Sequence, residues 1–451
     1  MPAALDQVFK AYDVRGIYPD QLDEELAERV GRAFVALTRA GTLAIGQDMR
    51  PSSKPMADAL AAGAMAQGAD VLRVGLCSTD MLYYVSGALD VAGVMLTASH
   101  NPARYNGLKL CRPGAVPVGE ESGLADIKRM VAAGEPAADA AERGRERQAD
   151  DLLERYAAHV RGFADRGALR PLKVVADAGN GMAGHVVPAV FAGLPFELVS
   201  MYFELDGSFP NHPADPLNPE NLRELQARVV AEGADVGLAF DGDADRVFLV
   251  DEQGATVPSS LVGALVARLM CEREPGATVL YNLICSRVVP ETIREAGGVP
   301  VRTRVGHSFI KGVMAETGAI FGCEHSGHYY FRDNYRADSG LIAALVALDA
   351  LSRAGRPLSE VLAPYRRYAS SGEVNRRVDD PGKVIGEVAG RYPADAADFA
   401  DGLTVEGGDW WFNLRPSNTE PLLRLNVEAA TEAEMARVRD EVLEAVGGEP
   451  A

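Results

Sequence analysis

Positive charge is scarce in this chain. Its 451 residues hold 45 Lys and Arg against 64 Asp and Glu, a formal net charge of −19. Such an excess of acid argues against non-specific nucleic-acid binding and requires any anionic ligand to be met by cations gathered locally. Cysteine is also sparse: Cys77, Cys111, Cys271, Cys285 and Cys323 are scattered, odd in number and without Cys-x-x-Cys spacing. That pattern excludes a standard zinc site and suits a reducing compartment. No long hydrophobic run exists either; stretches such as "LIAALVALDAL" fall short of the roughly 20 residues that span a bilayer. The start, "MPAALDQVFKAYDVRG", has no basic segment leading into an apolar core, so no secretory leader is expected. The expected place is the cytoplasm, with neither nucleic acid nor membrane as partner.

Hydrophobic residues at 47% and charged residues at 24% are ordinary for a globular enzyme, and the length requires several domains. One pattern recurs three times. "TLAIGQD", a helical stretch, "DVLRVG" and later "GVMLTASHNP" form the first copy. "KVVADAGNGMAG", "FELVS" and "DVGLAFDGDADR" mark the second, and "TVLYNLICS", "VPVRTRVG" and "AIFGCEHSGH" the third. Strand, helix closing on glycine, strand and a later strand ending in a polar loop predict βαβ units with parallel strands. Ligands of open α/β sheets sit beyond the carboxyl ends of strands, so the three polar loops are predicted to line one cleft. The tail differs: β-like "WWFNLRPSNTEPLLRLNVEA" precedes "TEAEMARVRDEVLEAV", where Thr431 and Glu434 have capping-box spacing. The expected fold class is α/β, with three related α/β domains of mixed sheets at 1–149, 150–252 and 253–367. A C-terminal α+β domain at 368–451 completes them around a central cleft.

Four loops carry the chemistry. In "DGDADR", Asp241, Asp243 and Asp245 alternate, and an extended chain would point them the same way. Carboxylates held together repel, and a hard cation with oxygen ligands relieves that charge. An EF-hand is excluded: Glu252 falls twelfth from Asp241, but Arg246 stands where the loop needs glycine, and "RVFLV" reads as a strand. Mg²⁺ suits the trio better, because it takes few protein carboxylates and completes its shell with water and phosphate oxygen. Solvated acids in an Asp-Gly turn are the bland alternative.

In "RPSNTEP", Arg415, Ser417, Asn418 and Thr419 offer a guanidinium, two hydroxyls and an amide, a set suited to a phosphate dianion or to an ordinary turn. "GCEHSGHYYF" sets Glu324, His325, Ser326 and His328 between glycines, suited to sugar hydroxyls or to a purely structural loop; the histidine spacing matches no zinc motif. In "TASHNP", Ser99 beside His100 makes no hydrolase triad, since triads form in space and no Gly-x-Ser-x-Gly surrounds it. Alone it reads equally as a polar turn. Beside a carboxylate trio and a phosphate-type loop, a phosphorylated serine becomes coherent. Arg15, Lys109, Arg246, Arg304 and His307, all near glycines, are the available cations, though each singly reads as surface charge.

"KAYDVRG", "TASHNP", "DGDADR", "EHSGH" and "RPSNTEP", in this order along the whole chain, resemble the α-D-phosphohexomutases, particularly their bacterial phosphomannomutase/phosphoglucomutase branch. The resemblance implies that Ser99 is the phosphoserine, with His100 beside it, and that Asp241, Asp243 and Asp245 hold Mg²⁺ together with its phosphate. It implies that Lys109 and Arg15 assist proton transfer and stabilise charge, with His307 as a further acid/base candidate. Tyr12, Arg246, Glu324, Ser326 and His328 would contact the sugar phosphate, and Arg415, Ser417, Asn418 and Thr419 would grip the phosphate that is not reacting. Cys323 departs from the glycine common there.

The activity implied is reversible phosphoryl transfer between the 1- and 6-positions of mannose or glucose phosphate. Its intermediate and activator would be glucose 1,6-bisphosphate or mannose 1,6-bisphosphate. A lysine of lowered pKa among cations is the expected base. A phosphoglucosamine mutase and a non-catalytic sugar-phosphate binder are the alternatives. Monomer and homodimer are both left open.

Overall fold

The computed structural model describes residues 2–417 and 422–450, the side chains at 2–4 and 307 excepted. Four sheets follow one another along the chain. In the first, strand Thr42–Gln47 lies parallel to Asp70–Leu76 on one side and to Ala92–Leu96 on the other, and Tyr105–Arg112 returns antiparallel to Ala92–Leu96. The second sheet repeats this order with Leu172–Asp177, Phe196–Met201, Val236–Phe240 and Val247–Asp251. The third repeats it with Thr278–Asn282, Val299–Thr303, Phe321–Cys323 and Tyr329–Phe331. Residues of the third strands Ala92–Leu96 and Val236–Phe240 are buried throughout, which explains their unbroken apolar sequence: helices cover both faces of a parallel strand.

Each polar loop joins the third strand of its unit to the antiparallel fourth. The three loops therefore occupy equivalent places at carboxyl ends of strands. Strand Val14–Ile17 adds to the first sheet with Arg15 opposite Gly107, bringing "KAYDVRG" to the same end. Edge strand Thr256–Val257 extends the second sheet beside Val247–Asp251.

One hydrophobic core runs through all three units, joining Leu82 and Met95 to Val186 and Leu238 and to Phe331 and Ile342. Helix Gly340–Ala354 lies within it, buried from Gly340 through Ser352. Its all-round apolarity is that of a central core helix. No helix among the described residues is long and apolar enough to cross a membrane. At the junction of the units, buried Asp80 accepts from Tyr156 Oη at 2.6 Å and from Ser339 Oγ at 2.5 Å, and burial raises its pKa to about 6.

The tail has its own core around Phe412, Leu425, Val438 and Val442. Its strands Ala369–Arg377, Leu403–Glu406, Trp410–Pro416 and Leu422–Ala429 are antiparallel. Thr431 Oγ1 caps helix Glu432–Val446 through Glu434 N, while the Glu434 carboxylate pairs with Arg437. Polar contacts join the tail to the third unit: Arg287 donates to the carbonyls of Gly407, Gly408 and Trp410, and Val305 N to Asp401.

A long polar loop of the second unit is pinned by His212. Its Nε2 faces Asp177 Oδ2 at 3.0 Å and its Nδ1 the Pro213 carbonyl at 2.9 Å. Burial opposes a charge there, but the Asp177 hydrogen bond outweighs it and raises the pKa. A raised folded-state pKa contributes stability that is complete below the unfolded value of about 6.5 and is lost as pH rises through the folded value. Urea unfolding should thus show the wild type losing, as pH rises above about 6.5, its advantage over His212→Gln, on the order of 1 kcal/mol. An advantage constant with pH would refute the charged pin.

Candidate active site

Ser99 sits in the connection after Ala92–Leu96 with φ of 50°, a left-handed conformation uncommon for a residue with a side chain. Its N–H donates to Thr97 Oγ1 at 2.9 Å, and its Oγ donates to Asp241 Oδ2 at 2.7 Å. His100 Nδ1 lies 3.2 Å from the same Oγ. Burial, and then the charges of Arg246 and Arg15, push the His100 pKa well down, so its ring is neutral.

The three aspartates converge, but not by alternation along an extended segment. Residues 241–245 form a turn in which Ala244 takes a φ of 60° and its N–H bonds to the Asp241 carbonyl at 3.1 Å. Gly242 permits the approach to Ser99, because a Cβ there would stand 2.4 Å from the Ser99 carbonyl oxygen. One oxygen from each aspartate lies within 4.8 Å of the others. Asp243 Oδ1 and Asp245 Oδ1 are buried without a hydrogen-bond partner. Unpartnered buried carboxylate oxygens beside one another are a donor set suited to a hard cation.

Two cations face these three carboxylates. Arg246 Nη2 pairs with Asp241 Oδ2 at 2.8 Å, and Lys109 Nζ reaches Asp243 Oδ2 at 2.7 Å and Asp245 Oδ2 at 2.5 Å. One negative charge is left over. Accordingly, burial raises the Asp241 pKa, with the charges of Asp245 and Asp243 adding to it against Arg246. Burial also opposes the charge of Asp243, but Lys109 outweighs it and holds that pKa well below the ordinary value. Thr79 supports Asp243 as well, Oγ1 to Oδ2 at 2.5 Å and N–H to the carbonyl at 3.0 Å.

The expected lowered pKa of Lys109 is overturned. Burial works against its charge, yet Asp243 and Asp245 raise its pKa well above the usual value. Lys109 is among anions, not cations.

The "EHSGH" loop meets "DGDADR" directly through a backbone bridge between Arg246 and His328. Glu324 Oε1 accepts from Asn282 Nδ2 and Gly306 N, both at 3.2 Å, and Oε2 from Tyr330 Oη at 2.7 Å. His328 stands between Ser326 Oγ, 3.0 Å from its Nδ1, and Asp245 Oδ1, 3.8 Å from its Nε2. His325 contacts Asn282 Nδ2 at 3.1 Å, and burial pushes its pKa down to about 3, with the charge of Arg415 adding to the effect. Cys323 lies in a strand, and its Sγ occupies the room that Gly263 leaves open.

Arg15 holds Asn101 Oδ1 at 2.6 Å and Asp13 Oδ2 at 2.5 Å. The Tyr12 hydroxyl abuts Gly306, and burial raises its pKa. Exposed Arg304 stacks on Phe309, 4.5 Å from the ring centroid. In the tail, buried Arg415 reaches Glu373 Oε2 at 3.3 Å, and Arg424 Nη2 donates to Ser417 Oγ at 3.3 Å. Asn418, Thr419 and the side chain of His307 lie outside the described residues. A cavity of 360 Å³ lies apart from the aspartates, between Val116–Ser122 and helix His307–Thr317, with Tyr12 and Lys311 in its wall.

Sequence profiles described as phosphoglucomutase/phosphomannomutase alpha/beta/alpha domains I, II and III and C-terminal domain match residues 6–137, 154–254, 258–368 and 373–445. The chain belongs to the phosphoglucomutase/phosphomannomutase family. A protein of Xanthomonas campestris pv. campestris named "Phosphohexose mutases" is 41% identical over 436 residues, covering 96% of this chain and 97% of that one. The phosphomannomutase of Escherichia coli K12 is 38% identical over 445 residues, with 96% and 97% covered. Among solved structures, a phosphoglucomutase/phosphomannomutase family protein of Burkholderia thailandensis superimposes with a TM-score of 0.89 at 34% identity, covering 98% of this chain and 99% of that one.

Within this phosphoglucomutase/phosphomannomutase fold, the motif loops omit Arg50, Thr79, Asn282 and Glu373, all of which contact site residues. A positional rule finds three of them, Thr79 among them, just past the end of strand Asp70–Leu76. Arg50 follows the first strand of unit one, and Asn282 ends the first strand of unit three, at the same carboxyl edge as the motifs.

Proposed function

We propose that this chain reversibly moves a phosphoryl group between the 1- and 6-positions of a hexose phosphate, mannose or glucose, by way of phosphoserine at Ser99. The observation that carries this reading is Ser99 Oγ on Asp241, beside two buried carboxylate oxygens that lack a hydrogen-bond partner. Mg²⁺ would be held by Asp241, Asp243, Asp245 and the Ser99 phosphate, where it would neutralise the phosphoryl oxygens and align them.

The chain's own groups supply the rest. In the forward half, the bond from Ser99 Oγ to phosphorus breaks as a free sugar hydroxyl forms its own, giving a hexose 1,6-bisphosphate. Lys109 and Arg15 stabilise the charge that passes between the oxygens. In the metal-free site Asp243 and Asp245 favour the charged form of Lys109, and His100 Nδ1 is occupied by Ser99 and Arg246. Among the described side chains, His328 meets both loops, Ser326 on one and Asp245 on the other, and is the proposed acceptor; the side chain of His307 lies outside them. Ser99 Oγ leaves as a hydroxyl, gaining a proton for the one the sugar hydroxyl lost; after the bisphosphate turns over, Ser99 Oγ gives that proton up as it takes the other phosphate, and the freed sugar oxygen gains one. Glu324, Ser326 and Tyr12 would hold the sugar, and Arg246 the phosphate near Ser99. Arg415, Ser417, Asn418 and Thr419 would hold the phosphate that does not react. Closure of the separately cored tail would exclude water.

The same proposal takes the chain as four domains, with the second ending after Val257 because Thr256–Val257 pairs in its sheet. We place the reaction in the cytoplasm, in keeping with five free, buried cysteines.

Mass spectrometry of the Ser99 peptide tests the reading. Incubation with glucose 1,6-bisphosphate and Mg²⁺ should add one phosphoryl group, which glucose or mannose 1-phosphate then removes. A peptide that never gains phosphate sinks the proposal.

A further inference from the structure

Arg50 is entirely buried, with its side chain 0% exposed, and all five of its N–H donors are used. Nε–H pairs with Asp48 Oδ2 at 3.1 Å. Nη1 donates to the carbonyls of Pro102 and Tyr105 at 2.9 and 3.0 Å, and Nη2 to those of Ser99 and Asn101 at 2.8 and 2.7 Å. Four of the five acceptors are thus main-chain oxygens, three in the connection that carries Ser99 and one at Tyr105, where the next strand begins. Asp48 is fixed in its turn by Ser53 Oγ at 2.5 Å and by the Arg50 N–H at 3.1 Å. From the second unit, Phe209 covers the guanidinium at 5.1 Å, and Gly207 lies against the Arg50 backbone, where a Cβ would stand 2.5 Å from Arg50 Cα.

A buried ion pair is by itself weak grounds for stability, because desolvation offsets its attraction. What distinguishes this one is where the donors point. The Ser99 carbonyl takes Arg50 on one side and the backbone of Gly242 on the other, and Ser99 itself is in the left-handed region. Such a conformation persists only when its surroundings over-determine it. We propose that Arg50 is a positioning residue, a clamp that sets the Ser99 turn in register with the aspartate loop and ties that register to the second unit through Phe209. It touches no reacting atom. The part of the inference that concerns turnover rests on the proposed mutase reading; the part that concerns the turn does not.

Arg50→Lys keeps a charge beside Asp48, but an ammonium has three donors and cannot span Asp48 and four carbonyls. With glucose 1-phosphate, Mg²⁺ and glucose 1,6-bisphosphate, kcat should fall about 100-fold, the cost of a misplacement near 1 Å, while KM changes less than twofold. In the same variant, amide hydrogen exchange measured by mass spectrometry should accelerate in the peptide holding residues 97–105 and stay unchanged in the tail. Should Arg50→Lys fail to fold, Phe209→Leu replaces it, with the same split between kcat and KM at about 5-fold. Unchanged exchange together with kcat within twofold would overturn the clamp, as would a loss in which KM rises as kcat falls. A wild type without mutase activity whose 97–105 peptide still loosens in Arg50→Lys would defeat the mutase reading alone and leave the clamp standing.

Discussion

Ser99→Ala is expected to reduce hexose phosphate turnover by on the order of 10⁴-fold or more, as removal of a covalent nucleophile does elsewhere. The fold should be nearly unaffected. The lost hydroxyl contacts Asp241 and His100, and Asp241 keeps Arg246 at 2.8 Å, so the cost is about 1 kcal/mol. Sugar phosphate binding should change little, because Glu324 and Ser326 come from a different unit and Arg415 and Ser417 from the tail. A coupled assay read beside calorimetric titration with glucose 1-phosphate separates the two quantities. If Ser99→Ala keeps more than about one hundredth of wild-type turnover, phosphoserine is not an obligatory intermediate, and the chemistry must run by direct transfer.

Lys109→Met should have the second largest effect, on stability and turnover together. Methionine has similar length without charge. Its introduction leaves Asp243 and Asp245, 0% and 2% exposed, facing each other with Arg246 as the cation in contact with the trio. Breaking a buried ion pair from one side costs about 3–5 kcal/mol. The metal-free variant should melt well below the wild type, and added Mg²⁺ should raise its melting temperature by more than it raises that of the wild type, since a bound cation then balances two excess charges instead of one. Turnover should fall about 10²- to 10³-fold, the usual loss on removing one preorganised charge from a transferring group. Calorimetric scans with EDTA and with Mg²⁺ decide it. Equal Mg²⁺ shifts in both proteins would show that Lys109 is not the counter-charge of the trio.

Much of this site is legible in sequence because its chemistry sits in short connections at one edge of repeated sheets. "TASHNP", "DGDADR" and "EHSGH" each follow a buried third strand, and a strand covered on both faces announces itself as an unbroken apolar run. The charge of Lys109 was not legible. Its immediate neighbours, "YNGLKL", hold no acid; the two aspartates that accept its hydrogen bonds arrive from another unit, more than 130 residues away in the chain. The means by which the aspartates converge was misread for a related reason. Alternation is a property of strands, whereas these aspartates sit on a turn with a left-handed Ala244, whose Gly242 lies against the Ser99 carbonyl. Nothing local in "GQDMR" marks Arg50, because its partners are carbonyls of a turn about 50 residues on.

The sequence by itself determined the residue types and their order: three α/β units and an unlike tail, a serine, three aspartates and a hydroxyl-reading loop at strand ends. These follow from local periodicity and from spacing along the chain. Only the tertiary structure decided which charges face one another, and hence that Lys109 pairs with Asp243 and Asp245, that these two each keep a buried oxygen without a hydrogen-bond partner, and that Arg50 bonds the Ser99 turn. The physical reason is that electrostatic and hydrogen-bond energies depend on distance and burial in space, and packing three units on one core brings together groups that no local pattern connects.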